Sequence, residues 1–247
     1  MEEIPVNKTN TNSYTFIFAV IMVVVVASVL AFTATSLQPL QNENVRQEKM
    51  QNILATVGVQ TERSEAEALY NKYVTETIAL NEDGSVAEGA DAFEVDLARE
   101  LKKPVNEQIY PLYIADIEGE KYYIIPLRGK GLWDAIWGYV SLKNDVNTIK
   151  GAVFDHKGET PGLGAEITQT WFRERFADEK IFDGSGNLIG VSVVKGNVGP
   201  SNKDDNKVDA ISGATITGNG VSDMISERLQ HYLPYFKQQK DIKVAMQ

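Results

Sequence analysis

The chain has 247 residues, 43% of them hydrophobic and 23% charged, which is ordinary for a folded protein. A formal net charge of −10 and the lack of a basic stripe exclude an extended nucleic-acid footprint. With no cysteine and only two histidines, His156 and His231, disulfides, thiolate metal sites, Cys-ligated clusters and a His-rich metal centre are excluded too, so any redox cofactor must be held by other chemistry.

Residues 14–34 (YTFIFAVIMVVVVASVLAFTA) carry no charge. About 21 residues at about 1.5 Å each give roughly 31 Å, enough to cross a hydrocarbon core. We read residues 1–13 as a tail and 14–35 as a single transmembrane helix. A cleaved signal peptide is the competing reading, with Ala34-Thr35-Ser36 as its cleavage site. Such a peptide has a basic start and a shorter apolar run, whereas this chain begins MEEIPVNKTNTNS. Lys8 and the terminal amine balance Arg46 and Lys49, so flanking charge does not orient the span.

After a proline exit at residues 38–40, the segment 44–57 predicts a helix with Val45, Met50, Ile53, Leu54 and Val57 on one face, stopped by Gly58. Ser64 and Glu67 fit a capping box opening a second helix over 64–80. Residues 81–89 are an acidic loop, and 91–103 is a third helical candidate ended by Pro104. The stretch 36–104 is therefore expected to be a mostly helical, membrane-proximal region.

From residue 109 the pattern changes. Residues 109–117 and 121–129, joined by Glu118-Gly119, predict a β-hairpin. Further strands are expected at 135–142, 148–154 and 188–195, and helices at 165–176 and 217–236. Together they predict an α+β domain over 105–247.

Two motifs carry chemistry. Residues 209–217 read DAISGATIT. Ser212-Gly213-Ala214-Thr215 is a small-residue turn feeding a helix, where backbone amides and the helix N-terminus make an anion seat. Ser212 and Thr215 add hydroxyls. The same residues also fit a plain helix cap at Thr215. Residues 156–166 read HKGETPGLGAE, a loop shaped by Gly162 and Gly164 that could lie flat against a planar ring, with Leu163 packed on one face. An ordinary surface loop is the alternative. His156, at its start, is expected to make a structural hydrogen bond.

Taken together, DAISGAT and ETPGLG resemble the paired motifs of the FMN-binding domain family, DAISGAT matching the pattern D-x-x-[ST]-G-A-T. The chain as a whole is similar to the C subunits of sodium-translocating NADH:quinone reductases. Gly129-Lys130-Gly131-Leu132-Trp133 and Trp137-Gly138-Tyr139 add to the likeness. The resemblance implies an FMN-binding domain with a mixed or antiparallel sheet and flanking helices, preceded by one transmembrane helix. It implies one FMN per chain, joined covalently by a phosphoester to Thr215. Ser212, Gly213 and Ala214 would hold the phosphate region. Asp209 would be required by the flavin transferase that moves FMN from FAD with magnesium. Glu159, Thr160, Gly162, Leu163 and Gly164 would lie along the flavin, with Trp133 and Leu132 as further surroundings. No metal site and no complete turnover of the isolated chain are implied. The implied partners are the other members of a membrane complex of six subunits in the bacterial inner membrane, with the flavin domain on the periplasmic side. The G subunit of the Rnf ferredoxin:NAD oxidoreductase and a membrane-tethered binding protein without cofactor are the rival readings.

Overall fold

The computed structural model describes residues 11–196 and 202–238. The chain divides into two units, at Gln47 and Glu48. The expected tail lies outside the described residues up to residue 10.

The first unit is the greater part of helix α1 (Asn12–Thr56). Among the described residues this is the one helix long and apolar enough to cross a membrane. Phe16 and Phe32 are 73% and 75% exposed, so no protein core covers this surface and hydrocarbon would. The expected break at residues 38–40 does not occur, because α1 runs through Pro39. Proline forfeits its own backbone bond but leaves the rest of the ladder to continue.

The second unit begins with the last turns of α1. Met50, Ile53, Leu54 and Val57 bury there against Ala66 and Tyr70 of α2 (Arg63–Tyr73) and against one face of a sheet. Helix α2 starts one residue before the expected capping box, with Glu62 at its N-cap and no side-chain cap bond. It also ends early. Residues 74–80 (VTETIAL), expected to be helical, form strand β1 (Val74–Leu80) because the β-branched Val74, Thr75, Thr77 and Ile78 favour an extended backbone. The sheet therefore starts within the region expected to be helical. The third helical candidate shrinks to α3 (Leu97–Glu100). Asp91 accepts a bond from the amide of Phe93 and Asp96 from that of Ala98, local turns that compete with a longer helix.

Strands β2 (Tyr110–Ile117), β3 (Glu120–Lys130), β4 (Ala135–Leu142) and β5 (Ile149–His156) complete a five-stranded antiparallel sheet in the order β1-β2-β3-β4-β5. The β2–β3 turn is the expected one. Glu118 and Gly119 take φ of 56° and 87°, the pair of positive values a type I′ hairpin turn requires. Both faces of the sheet are buried. Tyr113, Ala115 and Ile124 face α1 and α2, while Leu112, Ile114, Tyr123, Ile125 and Leu127 face the main core.

The expected helix over 165–176 is a broken set: a 3₁₀ turn (Gly164–Thr168), α4 (Thr170–Arg173) and a second 3₁₀ turn (Glu174–Phe176), interrupted where Gln169 is extended. Ile167, Thr168 and Thr170 are poor helix formers, and the breaks let Ile167, Phe172 and Phe176 all reach the core. The expected strand over 188–195 contracts to β6 (Ser192–Val194), beyond Gly190 at φ 72°. It pairs in parallel with a strand the sequence pattern does not signal, β7 (Lys207–Asp209). Helix α5 (Thr215–Gln230) starts two residues earlier than expected and is separated from α6 (Leu233–Gln238), because Pro234 lacks the amide that would continue the ladder. Helix α5 packs closely on the sheet at Gly220, where a Cβ would sit 2.2 Å from the carbonyl oxygen of Lys130.

Candidate functional site

Strand β7 delivers the 209–217 segment to the sheet. Arg175 donates from its guanidinium to the carbonyl of Asp209, and the amide of Ala210 donates to the carbonyl of Val194 at 2.8 Å. The chain then turns. Gly213 has φ of 77°, and a Cβ there would come within 2.8 Å of a methyl of Leu163, so the position needs glycine for both conformation and space. Ala214 is the N-cap of α5, with no side-chain cap bond, and its carbonyl accepts from the amide of Gly218 at 2.9 Å. Thr215 is thus the first helical residue and not the cap, which removes the plain capping role. Helix geometry leaves the first amides of α5 without intrahelical partners, as an anion seat requires.

The 156–166 loop folds over this turn. The amide of Glu159 donates to Nδ1 of His156 at 3.2 Å, the structural hydrogen bond expected of that histidine. The amides of Leu163 and Ala165 both donate to the carbonyl of Thr160 at 3.1 Å, and the amide of Gly162 donates to Oε1 of Glu166 at 3.0 Å. Gly162 takes φ of 76°, which shapes the turn.

Between the two motifs lies a cavity of about 220 Å³, lined by Leu132 from the β3–β4 connection, Glu159, Thr160, Leu163, Gly164 and residues 213–217. Glu159 is the acid of this cavity and is 5% exposed. Its Oε1 accepts from the amide of Trp133 at 2.9 Å and its Oε2 from the hydroxyl of Thr217 at 2.6 Å. The indole N–H of Trp133 donates to Oγ1 of Thr160 at 3.1 Å. Trp133 is therefore 67% exposed yet held at both of its N–H groups. Just outside, Lys157 pairs with Asp134 at 2.9 Å, and its hydrogen bond holds the Asp134 carboxyl below the usual range.

The structure thus brings Thr215, Gly213, Ala214, Glu159, Thr160, Leu163 and Gly164 to one cavity, with Trp133 bonded to its wall. Ser212, Asp209 and Gly162 do not line it. Ser212 is exposed in the turn, and Asp209 is half-buried at the end of β7. Two further lining residues, Ile216 and Thr217, are not among the site residues expected from the sequence. Thr217 lies outside the recognised motif, and only the fold brings it to Glu159.

The residues present suit a flavin phosphate. They offer a helix N-terminus, a glycine turn that admits close approach, a hydroxyl at the first helical position and apolar side chains around them.

Comparison with known proteins agrees. The model of the FMN-binding domain matches residues 131–230. The chain is similar to the C subunit of the Na(+)-translocating NADH-quinone reductase of Vibrio campbellii, 30% identical over 79% of this chain and 82% of that protein. It is also similar to the corresponding C subunit of Pseudomonas aeruginosa, 29% identical over 85% of this chain and 88% of that protein. The crystal structure of the C subunit from Parabacteroides distasonis superposes with a TM-score of 0.74 at 40% identity, covering 83% of this chain and 98% of that one. With one membrane-length apolar helix among the described residues, followed by a flavin-type cavity between two motif loops, the chain belongs to the family of C subunits of the Na(+)-translocating NADH-quinone reductase.

Proposed function

We propose that this chain is the electron-transferring C subunit of a membrane-bound Na(+)-translocating NADH:quinone reductase, relaying electrons through one FMN joined by a phosphoester to Oγ1 of Thr215. The observation that carries the attachment is the position of Thr215. It is the first residue of α5, half-buried, on the wall of the cavity and next to amides free to meet a phosphate. When bound, the flavin supplies the electron chemistry.

The chain's own residues bind and orient it. Gly213 and Ala214 admit the phosphate to the turn, and Ser212 adds a hydroxyl there. Leu163, Gly164 and Thr160 form the opposing loop, shaped by Gly162. Trp133 offers an apolar face beside it, and Asp209 sets the start of the segment. Attachment is a group transfer made by a separate flavin transferase. Oγ1 of Thr215 would take the FMN phosphoryl group from FAD as the pyrophosphate P–O bond breaks, with AMP leaving with the bridging oxygen and the hydroxyl proton passing to solvent. Thr215 is an anchor and takes no part in turnover. The covalent tether removes dissociation as a route of loss in any oxidation state.

The membrane reading rests on α1. Residues 1–13 would be cytoplasmic, 14–35 would span the inner membrane, and the flavin domain would face the periplasm. One span forms no ion path, so sodium translocation requires the other members of a complex of six subunits.

The test is the protein co-produced with its transferase. A yellow fluorescent band that survives denaturing electrophoresis, disappears in Thr215→Ala and maps by mass spectrometry to residue 215 is the expected result. A colourless wild-type protein refutes the reading.

A further inference from the structure

Thr215 and Thr217 carry the same functional group and occupy the same first turn of α5, and both line the cavity. Their surroundings differ. Thr217 is 1% exposed and its hydroxyl proton is committed to Oε2 of Glu159 at 2.6 Å. Glu159 in turn accepts at both carboxylate oxygens, the second bond coming from the amide of Trp133 at 2.9 Å. The space is cut to this carboxylate: a Cβ on Gly131 would sit 2.5 Å from Oε1, and one on Gly164 2.2 Å from Oε2.

Residues two apart on a helix point about 200° away from each other. Both nonetheless reach the same cavity, so pinning Thr217 to Glu159 fixes the rotation of this first turn and with it the direction of the Thr215 hydroxyl. We propose that Glu159 is a positioning residue which, by holding the Thr217 hydroxyl, withholds Thr217 from esterification and presents Thr215 for it. This rests on the reading of Thr215 as the acceptor of FMN from a flavin dinucleotide, with AMP as the leaving group. It moves Glu159 from a cofactor contact to the residue that sets the direction of the acceptor hydroxyl.

The experiment uses the full chain, produced without the transferase and purified in detergent, then mixed with purified transferase, magnesium and FAD. Incorporation is followed by gel fluorescence, and the site is read by peptide mass spectrometry. Thr217→Val removes the hydroxyl at similar volume. It is expected to lower kcat for incorporation at Thr215 roughly tenfold, through misorientation, with KM for the chain nearly unchanged. Thr217→Ser restores the hydroxyl and is expected to recover most of the rate, which a general loss of packing would not allow. Glu159→Ala is expected to match Thr217→Val. If it fails to fold, as judged by thermal melting, the Val and Ser pair at position 217 carries the test. Thr215→Ala is expected to leave the peptide spanning residues 209–217 free of flavin.

A wild-type kcat in Thr217→Val, no recovery in Thr217→Ser, or flavin on Thr217 in Thr215→Ala overturns the proposal. Flavin on some other residue of the wild-type chain overturns the acceptor reading instead, and that control separates the two failures.

Discussion

Three glycines in the loop over the cavity face different constraints, and their alanine variants should separate accordingly. At Gly158 a Cβ would meet nothing within 4 Å, and no positive φ is required. Gly158→Ala is expected to change stability by less than about 0.5 kcal/mol. At Gly162 the space is also open, but φ is 76°, and the left-handed backbone costs an alanine about 1–2 kcal/mol. At Gly164 the Cβ would sit 2.2 Å from Oε2 of Glu159 and 2.6 Å from Oγ1 of Thr217. The carboxylate is the end of a flexible side chain, yet it is buried and bonded on both oxygens. Either it stays and the site is overpacked, at about 1–3 kcal/mol, or it moves and a hydrogen bond to a charged group is lost, at about 1.5–3 kcal/mol. At about 2–4 °C per kcal/mol, Gly164→Ala should melt roughly 2–12 °C below the wild type. Thermal unfolding of the full chain in detergent, with flavin content measured in parallel, is the assay. A Gly164→Ala protein as stable as Gly158→Ala would refute the claim that this loop is built around a fixed carboxylate.

Other expectations follow from the same structure. His231 stacks on Tyr110 with ring centroids 4.5 Å apart, and burial lowers its pKa below the ordinary 6.5. The unfolded chain then takes up the proton first, so stability is full above 6.5 and declines as pH falls from there through the folded value. His231→Phe, which keeps the stack, should flatten that part of a melting-temperature profile. Arg175 holds the carbonyl of Asp209 and lies over the ring of Trp171 at 4.8 Å. Arg175→Ala should cost about 1–2 kcal/mol in denaturant unfolding and reduce flavin incorporation, because the start of the motif segment loses its anchor. The chain has no cysteine, so Val86→Cys, at an exposed position, gives a single label site. A membrane-impermeant maleimide should react with it from the periplasmic side of intact cells; labelling only after lysis would reverse the proposed orientation.

The parts legible in the sequence were those fixed by local chemistry. The uncharged run of residues 14–34, the Glu118-Gly119 turn and the strand over 135–142 declare themselves within a few residues, and the structure has all three. What stayed hidden depends on partners far along the chain. Residues 74–80 continue a helical pattern from α2, but their backbone bonds go to β2, thirty or more residues away. Strand β7 is three residues in a polar setting and exists because β6 lies beside it. The site divides the same way. The two loops are visible as glycine-rich motifs, whereas the Glu159–Thr217 bond joins positions 58 apart and leaves no local trace. The aspartates at 91 and 96 show the converse, where side-chain turns overrode a helical pattern.

Trp133 has a thermodynamic consequence. Its amide and indole N–H are both bonded to the 159–160 pair, so the indole ring it shows to water is apolar surface whose one polar group is already paired. Of a side chain that can bury roughly 200 Å², 67% is exposed, so covering it would release on the order of 3 kcal/mol. Because the ring is already fixed, little of that is spent on ordering it. Whatever closes over this indole meets an apolar surface that is already ordered: the folded chain carries a standing free-energy difference in favour of a state in which the ring is covered.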